Sequence, residues 1–292
     1  MLYLNYDFMS RCDDVRRCHF MKTLPVGLQL FTVRDEMAKS VPETLKAVKE
    51  AGYDYVETAG FFGLSGEAFK AELDKAGLVA VSAHVPLADM LKNPEEAIKT
   101  HKNLGCKYFV VPYLGGGERY GDPNFDSILK GIEKFGEMCH ENGLWLLYHN
   151  HDFEFEKTAD GRYVLDYMYE TIKPEFLGAE PDTCWVNIGG EDPASYIRKY
   201  KGRCPVVHLK DFIGSKTENM YTLIGTDEAK QEKSDAFAFR PVGQGVQNFP
   251  EIIAASIEAG AEYLVVEQDD TNDIPSLEAA KMSRDYLKTL GF

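Results

Sequence analysis

Residues 142–151 read Asn-Gly-Leu-Trp-Leu-Leu-Tyr-His-Asn-His: a glycine suited to end a helix, a run of large apolar residues, and then a polar tip. Glycine readily takes the left-handed backbone that terminates helices, and a strand apolar on nearly every position suits a parallel sheet covered on both faces. The junction recurs. Ala51-Gly52 precedes YDYVET, Ala76-Gly77 precedes LVAVSAH, Leu104-Gly105 precedes CKYFVVP, and Ala259-Gly260 precedes AEYLVVEQ. Helical patterns lie between these runs, among them VPETLKAVKEAG (41–52), with Pro42 and Glu43 in a first turn, and SGEAFKAELDKAG (65–77), opened by Ser65 as an N-cap.

Filling the gaps predicts eight strands, near Val26 to Phe31, Tyr53 to Thr58, Val79 to His84, Tyr108 to Pro112, Trp145 to Asn150, Leu177 to Asp182, Val206 to Leu209 and Leu264 to Glu267. Eight strands alternating with helices predict an α/β chain folded as a single (β/α)8 TIM barrel rather than an open doubly wound sheet. The first strand runs through Gln29-Leu30-Phe31 with no glycine-rich phosphate motif after it, so nucleotide binding has no support. A polar insertion from about Gly214 to Phe239 reads as a lid or an oligomer contact, which leaves a homo-oligomer open. Periodic sequence begins only at Val26, just after Met21. Residues 1–20 are therefore expected to be an extension, disordered or added by an upstream start, with an arm packed on the barrel as the alternative; the barrel domain is expected over 21–292.

A chain of 292 residues, 44% of them apolar, is long enough to bury a large core. Its 32 Lys and Arg against 47 Asp and Glu give a net charge of −15, which repels a polyanion, and no dense basic cluster offsets it. Nucleic acid is a poor partner. Six scattered cysteines with no CxxC pair read as reduced thiols. No apolar run approaches the roughly 20 residues of a membrane helix, and the first twenty residues hold no apolar signal core. These features predict a soluble cytoplasmic protein without a membrane partner.

In a barrel of this kind catalytic groups stand at the C-terminal strand ends. Here those ends carry Gln29, Glu57, His84, His149 and His151, Asp182, His208 and Lys210, then Glu267 and Asp269. His149 and His151 are two apart on a strand and share a face. Imidazole nitrogen and carboxylate oxygen suit Mn²⁺, Co²⁺, Zn²⁺ or Mg²⁺, and rigid strand tips leave positions open for water or substrate. A divalent-metal site of His149, Asp182, His208 and Glu267 is the expectation. Trp185 reads either as an apolar platform for a sugar face or as core.

The motifs VGLQLFTVRDEM, GYDYVETAG, SAHVP, LLYHNHDFEF, EPDTCWVNIGG, PVVHLKDF, RPVGQGVQNFP and LVVEQD together resemble the sugar phosphate isomerase/epimerase family, the xylose-isomerase-like TIM barrels, from Val26 to about Leu290. The resemblance implies a metal held at the ends of strands five to eight by Glu, Asp, His and Glu. Asp182, His208 and Glu267 match; His149 stands where many members have Glu, so the usual pair of acid/base carboxylates is broken. What it implies for chemistry is proton abstraction next to a carbonyl, with the metal holding the enediolate, Glu267 or an imidazole such as His151 moving the proton, and Lys210 adding positive charge. Isomerisation or epimerisation of a sugar is the first expectation. Elimination by a dehydratase or keto-glycoside lyase is the alternative, and a sugar-binding barrel without catalysis the non-enzymatic one. Gln29, Glu57 and His84 would meet sugar hydroxyls, and Arg240, near the Gly243-Gln244-Gly245 turn, an acidic or phosphorylated end.

Overall fold

The computed structural model describes residues 23–217, 236–272 and 274–292. The N-terminal extension and most of the polar insertion, over which a lid or oligomer contact was expected, lie outside them. Eight parallel strands form one sheet: β1 (Val26–Gln29), β2 (Tyr55–Ala59), β3 (Val79–His84), β4 (Tyr108–Val111), β5 (Trp145–His149), β6 (Gly178–Glu180), β7 (Val206–Leu209) and β10 (Tyr263–Val266). Their order, β6-β5-β4-β3-β2-β1-β10-β7, brings the first and last strands of the list to one seam. There His208 N donates to Pro181 O at 3.0 Å, and Asp182 and His208 form an isolated parallel bridge that brings the sheet round into a nearly closed barrel. The TIM barrel expected from the helix-glycine-strand junctions is the observed fold. At three of those junctions the glycine caps its helix in the left-handed region, Gly77 at φ 69°, Gly105 at φ 100° and Gly260 at φ 88°.

Apolar residues divide between two places. Most pack between the sheet and the outer helices, as Leu28, Val56 and Leu264 do on one side and Phe109, Leu146 and Ala179 on the other. Inside the barrel a smaller cluster of Tyr108, Val110, Leu147, Val206 and Val265 fills the lower end. The strand period of two then places His149, His208 and Glu267 directly above Leu147, Val206 and Val265. Among the described residues no helix is long and apolar enough to cross a membrane, and the cysteines Cys106, Cys139, Cys184 and Cys204 are buried free thiols.

Three expectations change. The first strand stops at Gln29 instead of Phe31, because the Gln29 side chain accepts the Phe31 N–H and starts a tight turn over Leu30–Val33. The sixth strand is shorter than predicted because Asp182 leaves it to cap the helix Thr183–Ile188. The insertion does not read as loop throughout: β8 (Asp211–Gly214) and β9 (Phe237–Arg240) pair antiparallel. Phe212, Phe237 and Phe239 of this ribbon bury against Trp185.

Candidate metal centre

Four predicted ligands converge at the upper end of the barrel. His149, Asp182, His208 and Glu267 are all buried, and one ligand atom from each lies within 4.8 Å of the others. His149 ends β5, and its Nδ1 faces the Pro112 carbonyl at 3.2 Å. A carbonyl only accepts, so Nδ1 carries a proton and Nε2 is the nitrogen that can offer a lone pair to an ion. That Nε2 has no hydrogen-bond partner, and it lies 3.3 Å from Asp182 Oδ2 and 3.4 Å from Glu267 Oε2. Asp182 divides its carboxylate between two tasks. Oδ1 caps the following helix, accepting from Cys184 N at 2.9 Å and Trp185 N at 3.0 Å, while Oδ2 is turned inward and lacks an aligned hydrogen bond. Asn150 Oδ1 accepts from Asp182 N at 3.0 Å and pins this strand end to β5. His208 completes the set with Nδ1 at 3.0 Å from Glu267 Oε2. Two buried atoms without an aligned hydrogen bond, of which Asp182 Oδ2 is ion-paired to Lys210, stand among nitrogen and oxygen donors of the kind a divalent ion takes. The donor set fits.

Lys210 lies inside this cluster. Its Nζ is 2.8 Å from Asp182 Oδ2, 2.8 Å from Glu267 Oε2 and 3.0 Å from Asp269 Oδ2, with the side chain 1% exposed. Burial alone would lower the ammonium's pKa, but the three carboxylates hold it well above its ordinary value. Burial likewise opposes ionisation of Asp182 and Glu267, yet Lys210, with His149 beside the first and His208 beside the second, keeps both below the usual carboxylate range. Asp269 takes the opposite course: burial and its acidic neighbours raise it to about 6. His149 is held above its ordinary value, against burial, by Asp182 and Glu267. His151 falls well below, from burial and from the charges of His149 and Lys210.

A second tier of charge lies beneath. Glu57 and Glu180, neither of them exposed, face the Nε2 atoms of His84 and His208. Burial would lower His84, but the two carboxylates lift it to about 10. The register of β2 against β3 slips between Val56 and Glu57, so that Glu57 pairs with Ser82. A bulge of this kind re-aims a side chain next to a site.

A cavity of about 580 Å³ opens onto the centre, within the range of small-molecule sites. His84, His149, His151, Lys210 and Glu267 line it, as expected. Gln29, Glu57 and Trp185, expected to contact substrate, are wholly buried and do not line it. Trp185 belongs to the apolar cluster under the β8–β9 ribbon, because the helix capped by Asp182 turns it that way. Arg240 donates Nη1 to Phe239 O at 2.8 Å, on the ribbon rather than in the cavity. The nearby turn is no anion site either: the N–H groups of Gly243, Gly245 and Gln247 all donate to the Asp211 carboxylate. A Cβ on Gly245 would stand 2.2 Å from Phe212 O, so glycine is required for that close wrap.

The sequence reading missed Glu180 in the lower tier and, in the cavity lining, Phe31, Arg34, Asp89 and Tyr113; it named Asp269 as a strand-end residue but gave it no role. The signal for Glu180 and Asp269 was present, since each is two residues from a predicted ligand and shares its face. Arg34 had no such signal: it arrives from the turn after β1, donating to Phe31 O at 2.9 Å and to Asp269 O at 2.8 Å.

Barrel, buried cluster of possible metal ligands and adjoining cavity together define a TIM barrel with a candidate metal centre at one end. Residues 45–290 match the family described as xylose isomerase-like TIM barrel, and the chain belongs to it. It is similar to an inosose dehydratase of Geobacillus kaustophilus, 25% identical over 273 residues that cover 85% of this chain and 86% of that protein. Among solved structures it resembles a sugar phosphate isomerase/epimerase of Parabacteroides distasonis, with a TM-score of 0.73, 22% identity, and coverage of 92% and 95%. It also resembles an L-ribulose 3-epimerase, with a TM-score of 0.62, 17% identity, and coverage of 92% and 94%.

Proposed function

We propose that this protein is an enzyme that removes a proton next to the carbonyl of a polyhydroxylated, sugar-like ketone and expels a β-hydroxyl as water. The observation that carries this is the state of the groups lining the cavity. His84 is tied to Glu57 and Glu180, His149 to Pro112 and the ligand carboxylates, and Glu267 and Asp269 share Lys210. His151 alone among these histidines pairs with no carboxylate, and its Nδ1 has no hydrogen-bond partner. One free base serves elimination, whereas a two-carboxylate epimerisation needs an acid or base on each face.

His151 takes the proton at Nδ1 as the C–H bond breaks. The electron pair forms the new C=C bond, the β C–O bond breaks, and the same imidazolium returns its proton to the departing hydroxyl. Lys210 stays on its three carboxylates and contributes its charge to the oxygen that gains electron density. His149 Nε2, Asp182 Oδ2, His208 Nδ1 and Glu267 Oε2 would hold Mn²⁺, Co²⁺, Zn²⁺ or Mg²⁺, and the chemistry such an ion supplies when bound is polarisation of the substrate carbonyl. The name of the inosose dehydratase relative supports a cyclic ketone as substrate. The name of the L-ribulose 3-epimerase neighbour supports a second reading, in which the imidazolium returns the proton to carbon.

The test incubates metal-loaded protein in D2O with inososes and other keto-sugars, following α-proton exchange by NMR and loss of water by mass. Exchange with water loss supports elimination, and exchange at constant mass supports the isomerase reading. Binding without exchange across the panel would leave a sugar-binding barrel and sink both. His151→Gln should cut exchange by about 10²–10⁴-fold while the protein still binds metal.

A further inference from the structure

Glu57 lies under the ligand set without belonging to it, Glu180 clusters with His84, His149 and His208 in a second group that could hold a metal, and neither carboxylate lines the cavity. The hydrogen bonds around them have a direction that can be read from one end. The backbone N–H of Phe31 donates to Gln29 Oε1 at 2.9 Å. That fixes the amide: its oxygen faces Phe31, so its NH2 faces Glu57, with Nε2 donating to Glu57 Oε1 at 2.6 Å. The same Oε1 faces His208 Nε2 at 2.8 Å and His84 Nε2 at 2.9 Å, while Glu180 Oε2 faces His84 Nε2 at 2.7 Å and His208 Nε2 at 3.3 Å. Carboxylate oxygens accept and do not donate, so Nε2 of each imidazole carries a proton. The rings lie parallel, 5.3 Å apart, in one orientation.

The consequence appears at the far side of the rings. Nδ1 of His208 faces the Glu267 carboxylate at 3.0 Å and so carries a proton as well in the metal-free protein; with Nε2–H held from below, Nδ1 is the nitrogen that would give up its proton to offer a lone pair to an ion. We propose that Glu57 is a positioning residue for the metal centre: by holding the Nε2–H of His208 it fixes the tautomer and ring angle that make Nδ1 a ligand. Glu180 does the same for His84, leaving Nδ1 as the nitrogen His84 offers to a hydroxyl in the cavity. This rests on the metal reading above. A ligating histidine whose other N–H is held by a carboxylate is more basic and better aimed, and losing that partner costs about 10–100-fold in metal affinity.

The test measures Co²⁺ affinity by chelator competition for the full-length wild type, Glu57→Gln and Glu180→Gln, with thermal unfolding of each to confirm the fold. Glu57→Gln keeps the shape but weakens the acceptor, and should lose about 10–100-fold in affinity. Glu180→Gln should lose less, because its contact with His208 is longer. Unchanged affinity in a folded Glu57→Gln protein overturns the proposal. A second readout does not need the metal. In ¹H–¹⁵N spectra of metal-free protein, His208 should show an exchange-protected Nε2–H whose resonance moves in Glu57→Gln. A wild-type His208 without that proton overturns the assignment. Failure of the wild type to bind Co²⁺ counts against the metal reading, and the Nε2 proton then decides the positioning claim by itself.

Discussion

The lower and upper halves of the barrel interior stand on the same strands and bury their side chains to a similar degree, yet they are held by opposite means. Below, Tyr108, Val110, Leu147, Val206 and Val265 form a plug with no charge in it. Above, two residues further along three of the same strands, Leu147 gives way to His149, Val206 to His208 and Val265 to Glu267, each at most 4% exposed. The plug gains from removing apolar area from water. The upper half loses on desolvation and recovers only through mutual compensation, with Glu57, Glu180, Asp182, Glu267 and Asp269 set against His84, His149, His208 and Lys210. Burial depth is therefore no measure of what a residue contributes here. In the plug the cost of a change follows volume; in the upper half it follows charge.

Lys210 gives the largest expected effect on stability. Lys210→Met keeps the length of the side chain and removes the cation shared by Asp182, Glu267 and Asp269. Breaking a buried ionic set on one side costs about 3–5 kcal/mol. Urea unfolding of the metal-free variant should show that loss, and metal-loaded protein should show much less of it, since a bound dication supplies the missing charge. An equal loss in both forms would mean that Lys210 acts through packing, and the contrast between the halves would fail at its central residue.

Leu147→Ala probes the other half. A fully buried leucine cut to alanine costs about 2–5 kcal/mol, depending on how far the cavity collapses. Here that loss should be the same with and without metal, and Co²⁺ affinity should stay within a few-fold of wild type. A metal-dependent loss would show the two halves to be mechanically coupled rather than merely stacked.

The halves were not equally legible in the sequence. The plug and the strands that carry it follow from local pattern: Gly143 ends a helix, and the large apolar residues after it can only be a buried strand. The ligand tips were readable for the same reason, since His149, Asp182, His208 and Glu267 each close such a run. Glu57 was readable as a strand tip and Glu180 shares a face with Asp182, but their joint role was hidden, because it depends on His208, which is 151 positions from Glu57 in sequence and meets it only across the barrel. Trp185 was left between platform and core by its sequence. The choice was made by the ribbon of Phe212, Phe237 and Phe239, whose second strand follows a polar stretch that carries no apolar periodicity of its own.

Asp166 tests whether the contrast is one of burial or of charge alone. It sits on the outer helix Val164–Thr171, 8% exposed, and accepts from Tyr196 Oη at 2.7 Å, from Lys199 Nζ at 2.6 Å and from the Tyr200 hydroxyl. Burial would raise its pKa, but Lys199, Tyr200 and Tyr196 together hold it below the usual carboxylate range. Because the folded value lies below the unfolded one, near 3.9, the ionic contribution is complete at neutral pH and fades as the pH falls through the unfolded value toward the folded one. Asp166→Asn should cost about 1 kcal/mol at pH 7, and the gap between wild type and variant should start to close below about pH 5 and go on closing as the pH falls past the unfolded value of about 3.9 toward the lower folded one. Lys199 is open to solvent on one side, with its side chain 47% exposed, so water already shares the charge there and the effect stays well below that of Lys210. A loss as large as that of Lys210→Met would show that ionic pairing on this protein is worth the same wherever it stands, and that the buried upper half of the barrel holds its charges no more tightly than the surface does.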